Sequence, residues 1–258
     1  MTVTFIAHSA FLVEWDKFYT LFDYTYEPDY TGALPELSGD KPLLVFSSHS
    51  HEDHFDAKVF TLLEKYPGAR FFVSRDTRLT ERKRQWLNIS DEAFARTTVL
   101  RPDSILLTDV AGEDLSIRAI KSTDIGNAYL LRCEGKMVYH GGDLNWWDWK
   151  SEGEAYCNNM AAHYRAAIEK LAAAVENEAT DNAIAPEITA AMAPLDPRLG
   201  EGSEGLGIEE LMRQIKVQHV FPMHMWKKYE VIDRYIAAHP AQKDAIARIT
   251  REGESFVI

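Results

Sequence analysis

Three histidines and two acidic residues occupy one six-residue segment, and side chains of these types bind metal ions. The segment directly follows an apolar, strand-like run over residues 45–48, and it reads His49-Ser50-His51-Glu52-Asp53-His54. Imidazole nitrogen and carboxylate oxygen suit zinc, iron and manganese, and a turn at a strand end lets neighbouring side chains converge. So many polar groups cannot be buried together without partners, which argues against their being core residues. The segment therefore predicts a metal site.

The spacing within this histidine segment favours two metal ions rather than one. In an extended chain His49 and His51 project to the same side, because alternate residues of a strand share a face. Asp53 and His54 need the chain to bend, which places them in a second cluster beside the first. A lone histidine usually has no ligand role, so the prediction depends on the whole group. Two adjacent divalent ions are expected, either zinc or, alternatively, manganese or iron.

A pair of metal ions needs further donors, because six residues cannot encircle two ions. Asp143 follows a predicted strand and two glycines, which let the backbone pass close to an ion. His224 comes just after another predicted strand. Alone, Asp143 would be interpreted as a cap of the next segment and His224 as an ordinary loop histidine. Together with the histidine segment, both become candidate ligands.

Short strands and amphipathic helices are predicted around these candidates. Alternating apolar residues predict strands over 2–6, 10–15 and 18–22, with Asp16-Lys17 as a tight connection. A buried strand over 43–46, a helix over 57–65 and a strand over 70–73 follow. Further strands are predicted over 104–107, 115–120, 128–133, 136–140, 187–193 and 217–221, and helices over 158–177 and 208–215. This order implies an α/β fold in which sheets lie between helices.

The composition limits the classes of function. The chain has 258 residues and a net charge of −12 at pH 7, which argues against nucleic acid or an anionic membrane as a partner. Its length suits one domain over residues 1–258. No signal peptide or membrane span is expected, and Cys133 and Cys157 are too few for a disulfide scaffold. We expect a cytoplasmic protein that acts on a small molecule, and a homo-oligomer stays open.

The sequence resembles the metallo-β-lactamase superfamily of metal-dependent hydrolases. The resemblance is carried by the histidine segment, by the glycine-flanked Asp143, by His224 and by an early segment over residues 7–14. It covers most of the chain and is strongest to the bacterial branch that includes the ascorbate-phosphate lactonases and related uncharacterised hydrolases. The resemblance implies a four-layer αββα sandwich with the metal ions at one edge of the sheets.

The same resemblance implies a role for each candidate ligand. The first metal would be bound by His49 and His51. The second would be bound by Asp53, His54 and His224, and Asp143 would bridge the two ions.

The sequence departs from the family pattern at one position. The family supplies a third histidine to the first metal from a loop that corresponds here to residues 121–126, and this stretch contains no histidine. Asp124 is the natural substitute, although a small shift of the alignment would place Thr123 there. A carboxylate in place of an imidazole shifts the preference from zinc toward manganese or iron. Asp124 is therefore a candidate ligand of the first metal, and the alternative is that it caps a turn.

A site of this kind predicts hydrolysis. A divalent ion lowers the pKa of a bound water from about 15.7 toward about 7, which supplies hydroxide at neutral pH. Asp53 would be the catalytic residue that orients this water and carries its proton toward the leaving group. The substrate would be a small, conceivably anionic, ester, lactone or phosphodiester. The alternatives are a non-catalytic metal-binding or regulatory protein on the same fold and, less favoured, a nuclease.

Several residues near the candidate ligands could contact a substrate or support the metals. Trp146 and Trp226 could stack on a substrate ring or simply pack the chain onto the sheet. Arg198 could clamp an anionic group or pair with Asp196. His8 and His140 could support the ligands without binding metal themselves, although ordinary structural roles are the alternative.

Overall fold

Two facing β-sheets form the centre of the computed structural model, which describes residues 1–26, 29 and 31–258. The seven-stranded sheet has, in spatial order, β13 (Glu254–Val257), β1 (Thr2–Ala7), β2 (Ala10–Glu14), β3 (Tyr19–Phe22), β4 (Leu43–Ser47), β5 (Arg70–Ser74) and β6 (Thr97–Leu100). The six-stranded sheet has β12 (Lys216–Met223), β11 (Glu187–Pro194), β10 (Lys136–His140), β9 (Asn127–Cys133), β8 (Glu113–Lys121) and β7 (Ile105–Val110).

Helices cover the outer faces of both sheets. Three short helices, α1 (Leu62–Lys65), α2 (Glu81–Trp86) and α3 (Asp91–Ala95), follow the strands of the seven-stranded sheet, and the long α4 (Glu154–Asn182) and α5 (Leu206–Gln214) pack on the six-stranded sheet. The last helix is α6 (Glu230–Ala238). The layers therefore run helix, sheet, sheet, helix, as the predicted αββα sandwich requires.

Alternation along the strands explains why the two sheets pack together. On the seven-stranded sheet, Phe11 and Phe46 point into the core between the sheets, whereas Leu12 and Val45 point to the helical side. Successive residues of a strand face opposite sides, so strands that are apolar at every position suit a sheet that is covered on both faces. The buried β4 is a run of this kind and ends just before the histidine segment.

The long helix α4 is fixed on the six-stranded sheet by an apolar stripe and a buried ion pair. Its residues Ile168, Leu171 and Val175 are buried at helical spacing. Glu178 of the same helix binds Arg118 of β8 at 2.5 Å and Arg132 of β9 at 3.1 Å. Charges buried in this way are tolerated because they are paired.

The predicted strands and the predicted helices over 158–177 and 208–215 are present, with ends that move by a few residues. The predicted helix over 57–65 is a 3₁₀ turn over Ala57–Thr61 followed by α1. The strands predicted over 128–133 and 136–140 are β9 and β10, joined by a turn at Glu134-Gly135 in which both residues have positive φ, of 49° and 69°. The sequence interpretation missed the edge strands β6 and β13 and the helices α2, α3 and α6.

The parallel strands bring several chain segments to the same edge of the sandwich. Strands β3, β4, β5 and β6 are mutually parallel, as are β10, β11 and β12. Because parallel strands end at the same side of a sheet, the loops after them lie together. Among the described residues, no helix has the length and apolar character needed to cross a membrane.

Candidate metal centre

The candidate ligands converge at this edge from both sheets and form two groups. Within each group, one donor atom of every member lies within 4.8 Å of the others. The first donor group consists of His49, His51, Asp124 and Asp143. The second donor group consists of His8, Asp53, His54 and His224. The division follows the one implied by the family resemblance, with Asp124 beside the first pair of histidines and with His8 added to the second group.

Asp143 lies between the two donor groups. Its Oδ1 is 3.1 Å from His54 Nε2 and 3.4 Å from His224 Nε2, whereas its Oδ2 is 3.6 Å from His49 Nε2. One carboxylate oxygen thus faces each group, as a bridging ligand would require.

His8, which the sequence indicated as a supporting residue, lies among the donors themselves. Its Nε2 is 3.3 Å from Asp53 Oδ2, and its ring centroid is 4.2 Å from that of His224. Burial lowers the pKa of His8 to about 4, so the imidazole is neutral at pH 7, which is the form that binds metal ions. The turn between β1 and β2 places it there with a φ of 46°.

His140 supports the loops around the site from behind. Its Nε2 is 2.9 Å from the carbonyl oxygen of Ser9, and its Nδ1 accepts a hydrogen bond from the backbone N–H of Gly142 at 3.2 Å. Its ring stacks on Phe22 at a centroid distance of 4.8 Å. These contacts tie the loop that carries Asp143 to the turn that carries His8.

The sequence interpretation missed a buried aspartate that holds the histidine segment. Asp23 accepts hydrogen bonds from the backbone N–H and the hydroxyl of Ser48, at 2.7 and 2.6 Å, and lies 2.7 Å from His54 Nδ1. Burial alone would raise the pKa of Asp23, but the nearby His140 and His54 lower it by more. The net shift is downward, so the carboxyl is ionised. Its position just after a predicted strand, like that of Asp143, was the signal that could have identified it.

Asp196 plays the matching part on the six-stranded sheet. It accepts a hydrogen bond from His224 Nδ1 at 2.9 Å and one from Trp226 Nε1 at 3.3 Å. It also binds Arg198, whose Nη2 is 2.6 Å from Asp196 Oδ2. A carboxylate on the far nitrogen of an imidazole fixes the ring and leaves Nε2 for a metal ion.

Aromatic side chains form one wall of the site. The guanidinium of Arg198 lies 4.3 Å from the ring centroid of Trp226 and 5.5 Å from that of Trp149. Trp147 donates to the carbonyl oxygen of Asp143 at 3.0 Å. Trp146 lies against helix α4, with its ring under the guanidinium of Arg165, whereas the ring of Trp147 lies 5.6 Å from that of His224.

Two glycines allow the loops of the two sheets to touch. A Cβ at Gly126 would lie 2.3 Å from the carbonyl oxygen of Ser48, and one at Gly142 would lie 2.6 Å from Ser48 Cβ. Both glycines also have positive φ, of 74° and 50°. Residues without a Cβ are therefore required where Asp124 and Asp143 approach the histidine segment.

The polar atoms at the centre of the site fit a cation. His54 Nε2, His224 Nε2 and Asp143 Oδ1 are buried and complete no hydrogen bond among the described residues, although buried polar atoms nearly always do. Burial raises the pKa of Asp53 and Asp143, but neighbouring histidines lower it more, so both carboxyls are ionised at pH 7. Burial lowers the pKa of His54, and the charges of Asp143 and Asp23 nevertheless raise it well above its usual value. Converging imidazoles and ionised carboxylates suit divalent metal ions.

Several non-glycine residues at the same edge have a positive φ. His8, Asp23, His224, Trp226 and Lys227 all have left-handed backbone conformations, with φ between 45° and 64°. Such conformations are unfavourable for residues other than glycine and cluster at functional sites.

A cavity of about 640 Å³ opens beside the second donor group. His8 and Asp53 line this cavity, together with the aromatic residues Phe5, Trp226 and Tyr229. A cavity of this volume accommodates a small molecule.

Solved structures of low sequence identity share this fold. A metallo hydrolase from the hyperthermophilic archaeon Ignicoccus hospitalis is 19% identical, with a TM-score of 0.58 over 100% of this chain and 98% of its own. Isothiocyanate hydrolase from Delia radicum gut bacteria is 13% identical, with a TM-score of 0.52 over 100% of this chain and 99% of its own. CmlA, a diiron β-hydroxylase from Streptomyces venezuelae, is 10% identical, with a TM-score of 0.60 over 100% of this chain and 54% of its own.

The likeness confirms the metallo-β-lactamase fold that the sequence resemblance implied. No protein-family model matches the sequence, and no curated protein matches it. At these identities the shared property is the fold, and the chemistry of this chain depends on its own donor groups.

Proposed function

We propose that this protein is a metal-dependent hydrolase that binds two divalent ions, which are zinc, manganese or iron, and cleaves a small ester, lactone or phosphodiester. The observation that carries the proposal is the position of Asp143 between two groups of converging imidazoles and carboxylates. Bound ions of this kind lower the pKa of a coordinated water and polarise a carbonyl or phosphoryl oxygen.

Asp53 is the residue that we assign to proton handling. It belongs to the second donor group and also lines the cavity, so its carboxylate faces both the metal site and the substrate. Its ionised form can accept a hydrogen bond from the attacking water and hold that water toward the cavity. Because His8 lies 3.3 Å from the same carboxylate, Asp53 is held in place from the side of β1.

The cavity is where the body of the substrate would lie. Trp226 and Tyr229 offer aromatic surface for a ring or an alkyl group. Arg198 does not line the cavity, but 42% of its side chain is exposed between two indoles. It is the cationic group that could meet an anionic substituent outside the cavity, with Asp196 fixing its guanidinium plane.

The experiment that tests hydrolysis uses the metal-loaded protein on a panel of lactones, carboxylic esters and phosphodiesters. We expect one class to be cleaved, and we expect Asp53→Asn to lower kcat at least 100-fold, in the range that proton transfer by a positioned side chain contributes. Circular dichroism of both proteins serves as the folding control. Equal kcat for the two proteins would remove Asp53 from catalysis, and no cleavage by a fully loaded protein would contradict the hydrolase proposal.

A non-catalytic metal-binding protein is the second candidate, and the first donor group is the observation that favours it. Asp124 stands where the family pattern has a histidine, so this group offers two imidazoles rather than three. The two candidates differ in one result: both bind metal, but only the hydrolase turns over a substrate.

A further inference from the structure

The two donor groups differ in burial, anchoring and donor number, and we propose that they load in sequence. The second donor group takes up its ion first and holds it tightly, whereas the first donor group binds more weakly and exchanges its ion with the solution. This inference rests on the proposed metal dependence and adds to it an order of binding and a chemical reason for that order.

Burial is the first difference. The side chains of His8, His54 and His224 in the second donor group are 2%, 0% and 3% exposed. In the first donor group, the side chains of His51 and Asp124 are 49% and 39% exposed. A buried side chain already has a fixed conformation, whereas an exposed one must lose rotamer freedom when it binds an ion. Preorganisation therefore favours the second donor group.

Anchoring of the imidazoles is the second difference. In the second donor group, His54 Nδ1 is 2.7 Å from Asp23, and His224 Nδ1 is 2.9 Å from Asp196. In the first donor group, His49 Nδ1 faces the hydroxyl of Ser48 at 2.9 Å. A carboxylate partner orients the ring and raises its basicity, and loss of such a partner typically lowers metal affinity 10- to 100-fold.

The third difference is the state of the donor atoms before binding. His49 Nε2 and His51 Nδ1 lie 2.9 Å apart and share a hydrogen bond, which an ion bound between them must break. In the second donor group, the buried His54 Nε2 and His224 Nε2 instead face the carboxylate of Asp143, at 3.1 and 3.4 Å. An ion in the first donor group must therefore separate two imidazoles, whereas an ion in the second would lie between imidazoles and a carboxylate that can also bind it.

The second donor group also has more donors than the first. The second donor group has three imidazoles and Asp53, and Asp143 Oδ1 faces it as well. The first donor group has two imidazoles, Asp124 and Asp143 Oδ2. A chain with one ion would therefore carry it in the second donor group, and occupancy of the first would follow the free metal concentration.

A competitive titration of the metal-free protein with Zn²⁺, in the presence of a chromophoric chelator, tests the order directly. The native chain should bind two ions in steps whose dissociation constants differ at least tenfold. Asp124→Ala should abolish the weaker step and leave the tighter one within about threefold. Asp23→Asn should weaken the tighter step 10- to 100-fold, as expected for loss of a carboxylate that orients an imidazole.

Asp91→Asn is the matched control for charge loss, because the Asp91 side chain is 90% exposed and pairs with Arg84, far from both donor groups in the sequence. It should leave both steps unchanged. His8→Gln provides a second route if Asp23→Asn does not fold, and it should also weaken the tighter step.

Three results would overturn the proposal or its premise. Two steps of equal affinity, or loss of the tighter step in Asp124→Ala, would overturn the order of loading while leaving the hydrolase proposal intact. Absence of any Zn²⁺ binding by the folded native chain would overturn the metal centre itself, and with it the proposed function.

Discussion

The two sheets contribute to the site in different ways. The seven-stranded sheet supplies four of its five donors from one loop, the histidine segment after β4. The six-stranded sheet supplies single residues from three separate loops, namely Asp124 after β8, Asp143 after β10 and His224 after β12. The first contribution is local in the sequence, whereas the second depends on how three strands and their loops are placed.

This difference indicates where the site is vulnerable. The histidine segment is held by Asp23, which binds the backbone and hydroxyl of Ser48 within the same sheet. Two loops of the six-stranded sheet, those after β8 and β10, pack on Ser48 through Gly126 and Gly142. Changes at the contact between the sheets should therefore damage the site more than changes within either loop.

The largest effect is expected at that contact. Gly126→Ala would place a Cβ 2.3 Å from the carbonyl oxygen of Ser48 at a φ of 74°. Overpacking and the left-handed conformation together should lower the free energy of unfolding by about 4 kcal/mol and weaken metal binding. Denaturant unfolding measures this loss. In the control Gly135→Ala, φ is also positive, at 69°, but no described atom outside the adjacent residues would lie within 4 Å of the added Cβ. The free energy of unfolding should therefore fall by only about 1 kcal/mol. Equal losses would show that the contact between the sheets is unimportant.

The next effect concerns the support of the six-stranded sheet alone. Glu178→Ala should lower the free energy of unfolding by about 3 kcal/mol, because Arg118 and Arg132 lose a buried partner. The exposed pair Glu92–Arg96 gives the control, and Glu92→Ala should cost less than about 1 kcal/mol.

The same carboxylate predicts a pH dependence. Burial raises the pKa of Glu178, but hydrogen bonds from Ser116, Arg118 and Arg132 lower it below its usual value. Because the pKa is lower in the folded state, the ionised carboxyl stabilises the fold at pH values above the unfolded pKa near 4.5. This stabilisation is lost as pH falls through the pKa of the folded state. The native chain should therefore lose its advantage over Glu178→Ala on acidification. A difference that does not change with pH would contradict this assignment.

Removal of the metal ions should affect both sheets, but unequally. An ion at about 100 times its dissociation constant stabilises the folded state by about 2.7 kcal/mol, so chelation should lower Tm. Hydrogen exchange should show greater loosening of the loops after β8 and β10 than of the histidine segment, because Asp23 holds Ser48 without metal. Equal loosening of all these loops would count against the difference between the sheets.

The smallest effect compares the two anchoring aspartates. Asp196→Asn and Asp23→Asn should each lower affinity at the second donor group 10- to 100-fold, because each removes a carboxylate from an imidazole Nδ1. Only Asp196→Asn should change the tryptophan fluorescence, because Asp196 also binds Trp226 Nε1 and Arg198. The variant Trp226→Phe shows which part of the fluorescence comes from Trp226. A fluorescence change of the same size in Asp23→Asn would mean that the two anchors are not separate.

The sequence predicted the contiguous part of the site better than the dispersed part. The histidine segment was recognisable because its donors are neighbours, and Asp143 and His224 because they follow apolar strands. Asp23 occupies the same kind of position but lacks a nearby second donor, so it resembles any aspartate after a strand. The role of Asp196 was hidden because its partner His224 is 28 residues away.

The fold shows the same limits. The buried β4 is a continuous apolar run and α4 has buried apolar residues at helical spacing, and both were predicted. The edge strands β6 and β13 are short and half-exposed, so their apolar residues form no pattern distinct from a loop. The place of His8 among the donors depends on a left-handed turn and on contacts with Asp53 and His224, which spacing alone does not reveal.

The most direct test of the account is the metal content of the chain at saturation, measured by elemental analysis at equilibrium dialysis against excess Zn²⁺ or Mn²⁺, with the free metal of the outer compartment subtracted. The account predicts two ions per native chain and at most one in a folded Asp143→Ala variant, because that carboxylate faces both donor groups. A native chain that retains no ion, or a content that Asp143→Ala leaves unchanged, would contradict a metal centre built jointly by the two sheets.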